Sequence, residues 1–252
     1  VNPFGILYNP KSISSAVRKL LKNETINEQD LIHYNNLYHS FMHHGSFSDI
    51  NIDACLDKIS HRFNKASENI RSTDVFLFTF GTSYVFRYKK TGEIVNNCHK
   101  IPSNKFNRFR LSVEEIVEDW GDLIQTLTTF NPGIKIIFTV SPIRHIKDGA
   151  HENQISKSTL HLAIDQLRRL ADNQIFYFPA YEIMLDELRD YRFYDEDMLH
   201  PSQVALDYIW NRFSEVYFSE KTLNINMEWL QISKSLYHRP LHPDSVAYKK
   251  FI

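Results

Sequence analysis

Three short apolar runs, separated by helical stretches, constrain this chain more than any other feature. "DVFLFTF" at 74–80 stops at Gly81, "IKIIFTV" at 134–140 stops at Ser141-Pro142, and "IFYFP" fills 175–179. Continuous runs of this length read as strands buried on both faces. Between the first two lies "SVEEIVEDWGDLIQTL", where Ser112 and Glu115 have capping-box spacing. Ile116, Val117, Trp120, Leu123, Ile124 and Leu127 form its core stripe, and "NPG" then breaks the chain. A second helix over 156–171 turns Leu160, Ala163, Ile164, Leu167 and Leu170 inward. The order strand, helix, strand, helix, strand predicts parallel strands, because each crossover needs a dozen or more residues and covers one face of the sheet.

Helical spacing also marks 13–21 and 50–70, the latter with Ile52, Cys55, Ile59, Phe63, Ala66 and Ile70 on one side. Cys55 on that stripe reads as a plain buried thiol. A three-layer α/β domain is therefore expected over 1–220, followed at 221–252 by a helix and a Pro-containing tail packed on it. The 252 residues are 42% hydrophobic and 13% aromatic, enough for a sizeable core, which argues against disorder.

Charge and motif content exclude several function classes. With 29 Lys+Arg against 30 Asp+Glu the formal charge is −1, which gives no net field to hold nucleic acid or an anionic membrane. No apolar run approaches the roughly 20 residues of a spanning helix. Cys55 and Cys98 match neither a disulfide framework nor zinc spacing. The chain has only 7 glycines and lacks G-x-G-x-x-G and P-loop patterns, so no nucleotide cofactor is implied. It starts at Val1, which is compatible with a processed or longer precursor.

Sites on open parallel sheets form outside the carboxyl ends of the strands. That directs attention to "GTSYVF", "SPIRHIKDG" and "YDEDMLHPS". In the last, Asp197 precedes His200 by three residues, and Pro201-Ser202 opens a helical pattern. A histidine works as a general base when a carboxylate fixes its tautomer and ring, and one short turn can deliver both groups. The plainer reading is a surface histidine beside a helix start, with Asp195 and Glu196 as solvated charges. Ser141 follows a strand near Arg144 and His145, but its segment reads as a loop, not the tight turn into a helix on which nucleophiles sit. Arg144 and His145 either shape a substrate pocket or cover that loop. His39, His43 and His44 in "HSFMHHG" lack a carboxylate or cysteine at a metal-binding interval, so no metal is expected. The aromatics of "FYFPAYE", "RDYRFY" and "YIW" suit core packing better than a sugar-stacking surface.

The segments "NPFGILYNPKSI", "FTFGTSYVF", "NCHKIP", "SPIRHIKDG", "YFPAYEIMLDELRDYRFYDEDMLHPS" and "HRPLHPDSVAYKKF" resemble the GSCFA family of bacterial proteins, grouped with SGNH-type (GDSL-like) esterases and lipases. The resemblance implies a flavodoxin-like parallel sheet with helices on both sides and a serine, histidine, aspartate hydrolase site without a cofactor. His200 would be the general base and Asp197 its partner, while Gly5 and Gly81 would lie near the blocks that supply oxyanion donors. Ser83 stands where such enzymes usually place asparagine, and Asn97 and His99 are candidates to substitute for it. The Gly-Ser-Cys-Phe-Ala motif, whose serine matches the nucleophile, is not in these 252 residues. The nucleophile and the first strand are accordingly expected upstream of residue 1. The implied substrate is an acyl or acetyl ester, on a small molecule, a polysaccharide or a lipid. The alternative is a binding module that kept the fold and lost its nucleophile. Neither reading fixes an oligomeric state.

Overall fold

The computed structural model describes residues 2–171 and 173–236 and divides into two compact units, 1–201 and 202–252. The first unit opens with helix α1 (Pro10–Lys22), the hairpin strands β1 (Leu31–Tyr34) and β2 (Leu37–Ser40), and helix α2 (Ile52–Ile70). Strand β3 (Val75–Phe80) follows, then β4 (Tyr84–Tyr88), β5 (Ile94–Val95), β6 (Phe106–Arg110) and helix α3 (Val113–Phe130). The remainder is β7 (Lys135–Val140), α4 (Gly149–Leu170), β8 (Ile175–Phe178) and the short helix α5 (Ala180–Glu182), which widens into a π-helical turn over Ile183–Leu188.

The three apolar runs form one parallel sheet in the order β3-β7-β8, with Val75 opposite Lys135, Phe80 opposite Val140, and Ile136 opposite Ile175. The class is thus α/β, as the alternation predicts. Trp120 of α3 is fully buried against Phe78, Phe80 and Phe138 at ring-centroid distances of 4.9, 5.0 and 5.2 Å, and its indole N–H donates to Pro10 O at 3.2 Å. Helix α4 packs beside α3 and on β7 and β8, and α1 packs on α2 and α3. Asp119 of α3 ties α1 down by accepting from Lys11 at 2.6 Å and from the Ser14 hydroxyl. The Ser112–Glu115 capping box forms as spaced, with Glu115 N–H on Ser112 Oγ and Ser112 N–H on Glu115 Oε2. Cys55 is buried, as its stripe predicts.

Strand β3 and helix α4 depart from the sequence pattern. Expected to be buried on both faces, β3 instead alternates, with Val75, Leu77 and Thr79 exposed. Helix α4 starts seven residues before the expected 156, because its first turns bury polar side chains that leave no apolar stripe to read. Leu170, expected inward, is the last residue of that helix and is exposed. A second, antiparallel sheet in the order β5-β4-β6 and the β1-β2 hairpin complete the unit.

One edge of the parallel sheet is unpaired among the described residues. Phe80 O accepts from Ser141 N–H and Asp74 O from Lys135 N–H, so alternate residues of β3 face β7. The N–H and C=O groups of Val75, Leu77 and Thr79 therefore face away from β7, because backbone groups alternate sides along a strand. No described strand takes that edge. The Val75 and Leu77 side chains are 52% and 50% exposed, so at β3 a helix layer covers the sheet on one side.

The second unit contributes α6 (Gln203–Tyr217), capped by the Ser202 side chain, and α7 (Glu220–Leu236). The tail "HRPLHPDSVAYKKF" lies outside the described residues. No helix among the described residues is long and apolar enough to cross a membrane.

Candidate active site

Asp197 and His200 are brought together by one tight loop. Asp195 N–H donates to His200 O at 2.8 Å, Met198 N–H donates to Asp195 O at 2.9 Å, and Tyr194 bridges Pro201, which closes the segment on itself. Met198 makes the reversal with φ +60°, the left-handed region. One oxygen of Asp197 accepts the N–H groups of Leu199 at 2.8 Å and His200 at 2.9 Å. The other lies 2.5 Å from His200 Nδ1. These donors, led by the His200 backbone N–H, hold the Asp197 carboxyl down at about 2. An ionised carboxylate only accepts, so Nδ1 must carry the proton and Nε2 of the neutral ring keeps its lone pair. The imidazole is 54% exposed, and no described residue bonds to Nε2. Asp195 and Glu196 belong to the turn, with Glu196 N–H on the Asp195 side chain.

The loop after β7 meets this segment. Arg144 N–H reaches Leu199 O at 3.4 Å, and its guanidinium lies 4.2 Å from the Tyr194 ring centroid. The neighbouring His145 stands edge-on to Tyr8, with its pKa lowered by burial, then by Lys157. Ser141 Oγ accepts from Ile143 N–H within the loop, which has no sharp turn into a helix.

Three expected oxyanion donors are engaged elsewhere. Gly5 N–H donates to Asn2 O at 2.9 Å, and Gly81 N–H to Tyr8 O at 2.7 Å. Ser83 is fully buried, with its N–H and hydroxyl both on Ser156 Oγ. In this arrangement the N–H groups of all three, and the Ser83 hydroxyl, are bonded within the protein. Gly5 is required sterically, and Gly81 sits in a tight place. At Gly5, with φ +81°, a Cβ would lie 2.3 Å from His44 Cβ, and at Gly81 it would lie 3.0 Å from Tyr8 O.

Asn97 and His99 sit with the β1-β2 hairpin. His99 Nε2 contacts Ser40 O at 2.8 Å, its backbone N–H donates to Asn97 Oδ1, and its ring lies 4.5 Å from that of His39. Burial lowers His99 to about 4. His43 stacks on Phe4 and is lowered to about 3 by burial, then by His99 and Lys19. His39 bonds Ser48 and Tyr34, and His44 caps the turn at Ser46. These contacts make the group a packing element, and none reaches the Asp197–His200 loop.

Sequence reasoning missed the polar half of α4. Asn153, Ser156 and Lys157 share one helix face, being three and four residues apart. Asn153 Oδ1 accepts His145 N–H at 2.9 Å, and Ser156 Oγ accepts Ser83 N–H at 2.9 Å. Lys157 Nζ donates to Gly81 O and Ser141 O, each at 2.6 Å. The available signal was that these positions continue the inward stripe of Leu160, Ala163, Ile164 and Leu167. A cavity of about 380 Å³ lies elsewhere, lined by Lys11, Arg87, Phe109, Glu118 and Asp119, and shares no residue with these loops.

A sequence model of the GSCFA family matches residues 1–213, and one for the C-terminal domain of GSCFA domain proteins matches residues 229–252. No curated protein and no solved structure matches the chain. With most of its length matched, and with the two matches following one another along it, the chain belongs to the GSCFA family.

Proposed function

We propose that the protein is a serine esterase of the SGNH type, cleaving an acyl or acetyl ester with His200 as general base. One observation carries this reading: the Asp197 carboxylate grips Nδ1 and leaves the exposed Nε2 as a proton acceptor. The free edge of β3 supports a further strand there, one that would end beside Gly81 at the carboxyl end of the sheet. A serine at that end attacks the ester carbonyl while its proton passes to Nε2. The tetrahedral intermediate then expels the alcohol, which takes the proton back from Nε2. Water repeats the sequence on the acyl-enzyme, releasing the acid and regenerating the serine. Arg144, bonded to the carbonyls of Met198 and Leu199, ties the loop after β7 to the loop that carries the base. No step calls for a cofactor.

Fluorophosphonate labelling of the longest natural form of the chain, followed by peptide mapping, tests the reading. Covalent label on one serine, slowed when excess p-nitrophenyl acetate is present during labelling, is the expected result. Absence of label favours the binding module without a nucleophile. Label on Ser141 would move the nucleophile to the loop after β7 and overturn the added strand.

A further inference from the structure

Past the last rung of a parallel ladder, backbone carbonyls lose their ladder donors, and where they are buried another donor must meet them. In this fold the carbonyls of Gly81 and Ser141, the first residues past β3 and β7, converge on a single amine. Lys157 Nζ lies 2.6 Å from both oxygens, and the side chain is completely buried. No carboxylate among the described residues pairs with it; the Tyr181 ring centroid lies 5.8 Å away, and His145 and His161 are near enough to feel its charge. An unpaired lysine in such a position is costly to bury, and burial alone pulls its amine down to about 7. A surface-facing residue or an apolar one would be less costly in a helix that only covered the sheet. The cost is matched by what the amine organises.

We propose that Lys157 is the positioning residue of the site: its amine joins the ends of β3 and β7 and thereby sets the two loops that flank the base. Its partners on the helix face act on the same two loops. Ser156 holds residues 82 and 83 through Thr82 Oγ1 and the Ser83 N–H, and Asn153 holds the loop after β7 through His145 N–H. The loop after β7 in turn carries Arg144 to Leu199, one residue from His200. Lys157 touches neither the base nor a substrate position in this arrangement; it acts through the strand ends. The catalytic half of this inference rests on the esterase reading, whereas the structural half does not.

Hydrogen exchange and kinetics on Lys157→Met separate the two halves. Amide exchange at 81–84, 141 and 143–145 is expected to rise about 10-fold or more, with amides of α3 at 116–127 unchanged. In the form of the chain that reacts with fluorophosphonate, assayed without the label, kcat is expected to fall about 100-fold with KM within about 3-fold, as displacement of loops by an ångström or so would produce. Exchange unchanged in both loops overturns the positioning role, and so does a uniform rise that includes α3. If exchange rises as expected but wild type has no turnover, the esterase reading fails and the strand-end tie stands. Should Lys157→Met fail to fold, Ser156→Ala takes its place: exchange is then expected to rise at 82–84 and stay protected at 141 and 143–145, and equal effects on both loops count against the arrangement.

Discussion

Replacing His200 by alanine is expected to lower turnover of p-nitrophenyl acetate by about 10²–10⁴-fold, the range that a positioned general base contributes. The argument starts from the turn. Asp197 is already committed to two backbone N–H groups, so its second oxygen is held where Nδ1 must meet it. The ring then has one orientation and one tautomer, and its open nitrogen faces outward. Alanine leaves the loop intact, since the bonds that close it are made by the backbone of residue 200 and by Asp197. Loss of activity with an unchanged melting temperature is thus the expected pattern. Turnover equal to wild type would show that His200 is not the base.

The second large effect is on stability in acid. His43 is 1% and His99 8% exposed, and burial depresses both, to about 3 and about 4. In the unfolded chain both rings titrate near 6.5. Between those values the unfolded state binds more protons than the folded one, so the stability these rings contribute is complete above about pH 6.5 and is lost as pH falls. Each ring adds a slope approaching about 1.4 kcal/mol per pH unit well below 6.5. The groups facing them are Lys19 of α1, His39 and His44, all of which oppose a further positive charge when protonated. Asp197 acts in a lower window, from the ordinary carboxylate range down to about 2, so it does not blur the comparison. Urea midpoints are expected to drop steadily from pH 7 to pH 4.5, and His43→Gln or His99→Gln to make that slope shallower, with part of it kept by the other rings that burial lowers, His145 and His161. A midpoint independent of pH, or the same slope in both variants, contradicts the assignment.

The elements legible in the sequence were those whose chemistry is one-sided. Phe78, Phe80, Ile136, Phe138 and Ile175 are buried in the sheet, and that need writes a continuous apolar run. The hairpin was passed over although "HYNNLY" contains its signal: Asn35 and Asn36 both adopt positive φ, 49° and 60°, as a tight two-residue hairpin turn requires. The antiparallel sheet was hidden by its cations. In "YVFRY" and "FNRFR" the arginines alternate with aromatics and stack on them, Arg108 over Tyr84 at 3.9 Å and Arg87 over Phe109 at 4.7 Å, so a half-exposed strand reads like a charged loop.

The Asp197–His200 contact was legible because it is local; three residues of chain fix the geometry. Gly5, Gly81 and Ser83 were found as special positions, but letters alone do not reveal where an N–H points, and here they donate to Asn2 O, Tyr8 O and Ser156 Oγ. Lys157 was not legible. A lysine in a helix normally faces water, and only the strand ends that face it give the burial a reason.

The orientation of one imidazole by one carboxylate is the centre of this account, and nitrogen-15 NMR of the His200 ring in wild type and Asp197→Asn measures it directly. Wild type should show a protonated Nδ1 and a bare Nε2 when neutral, and the asparagine variant should shift toward the opposite or a mixed tautomer. A wild-type ring protonated at Nε2, or a spectrum that Asp197→Asn leaves unchanged, would contradict it.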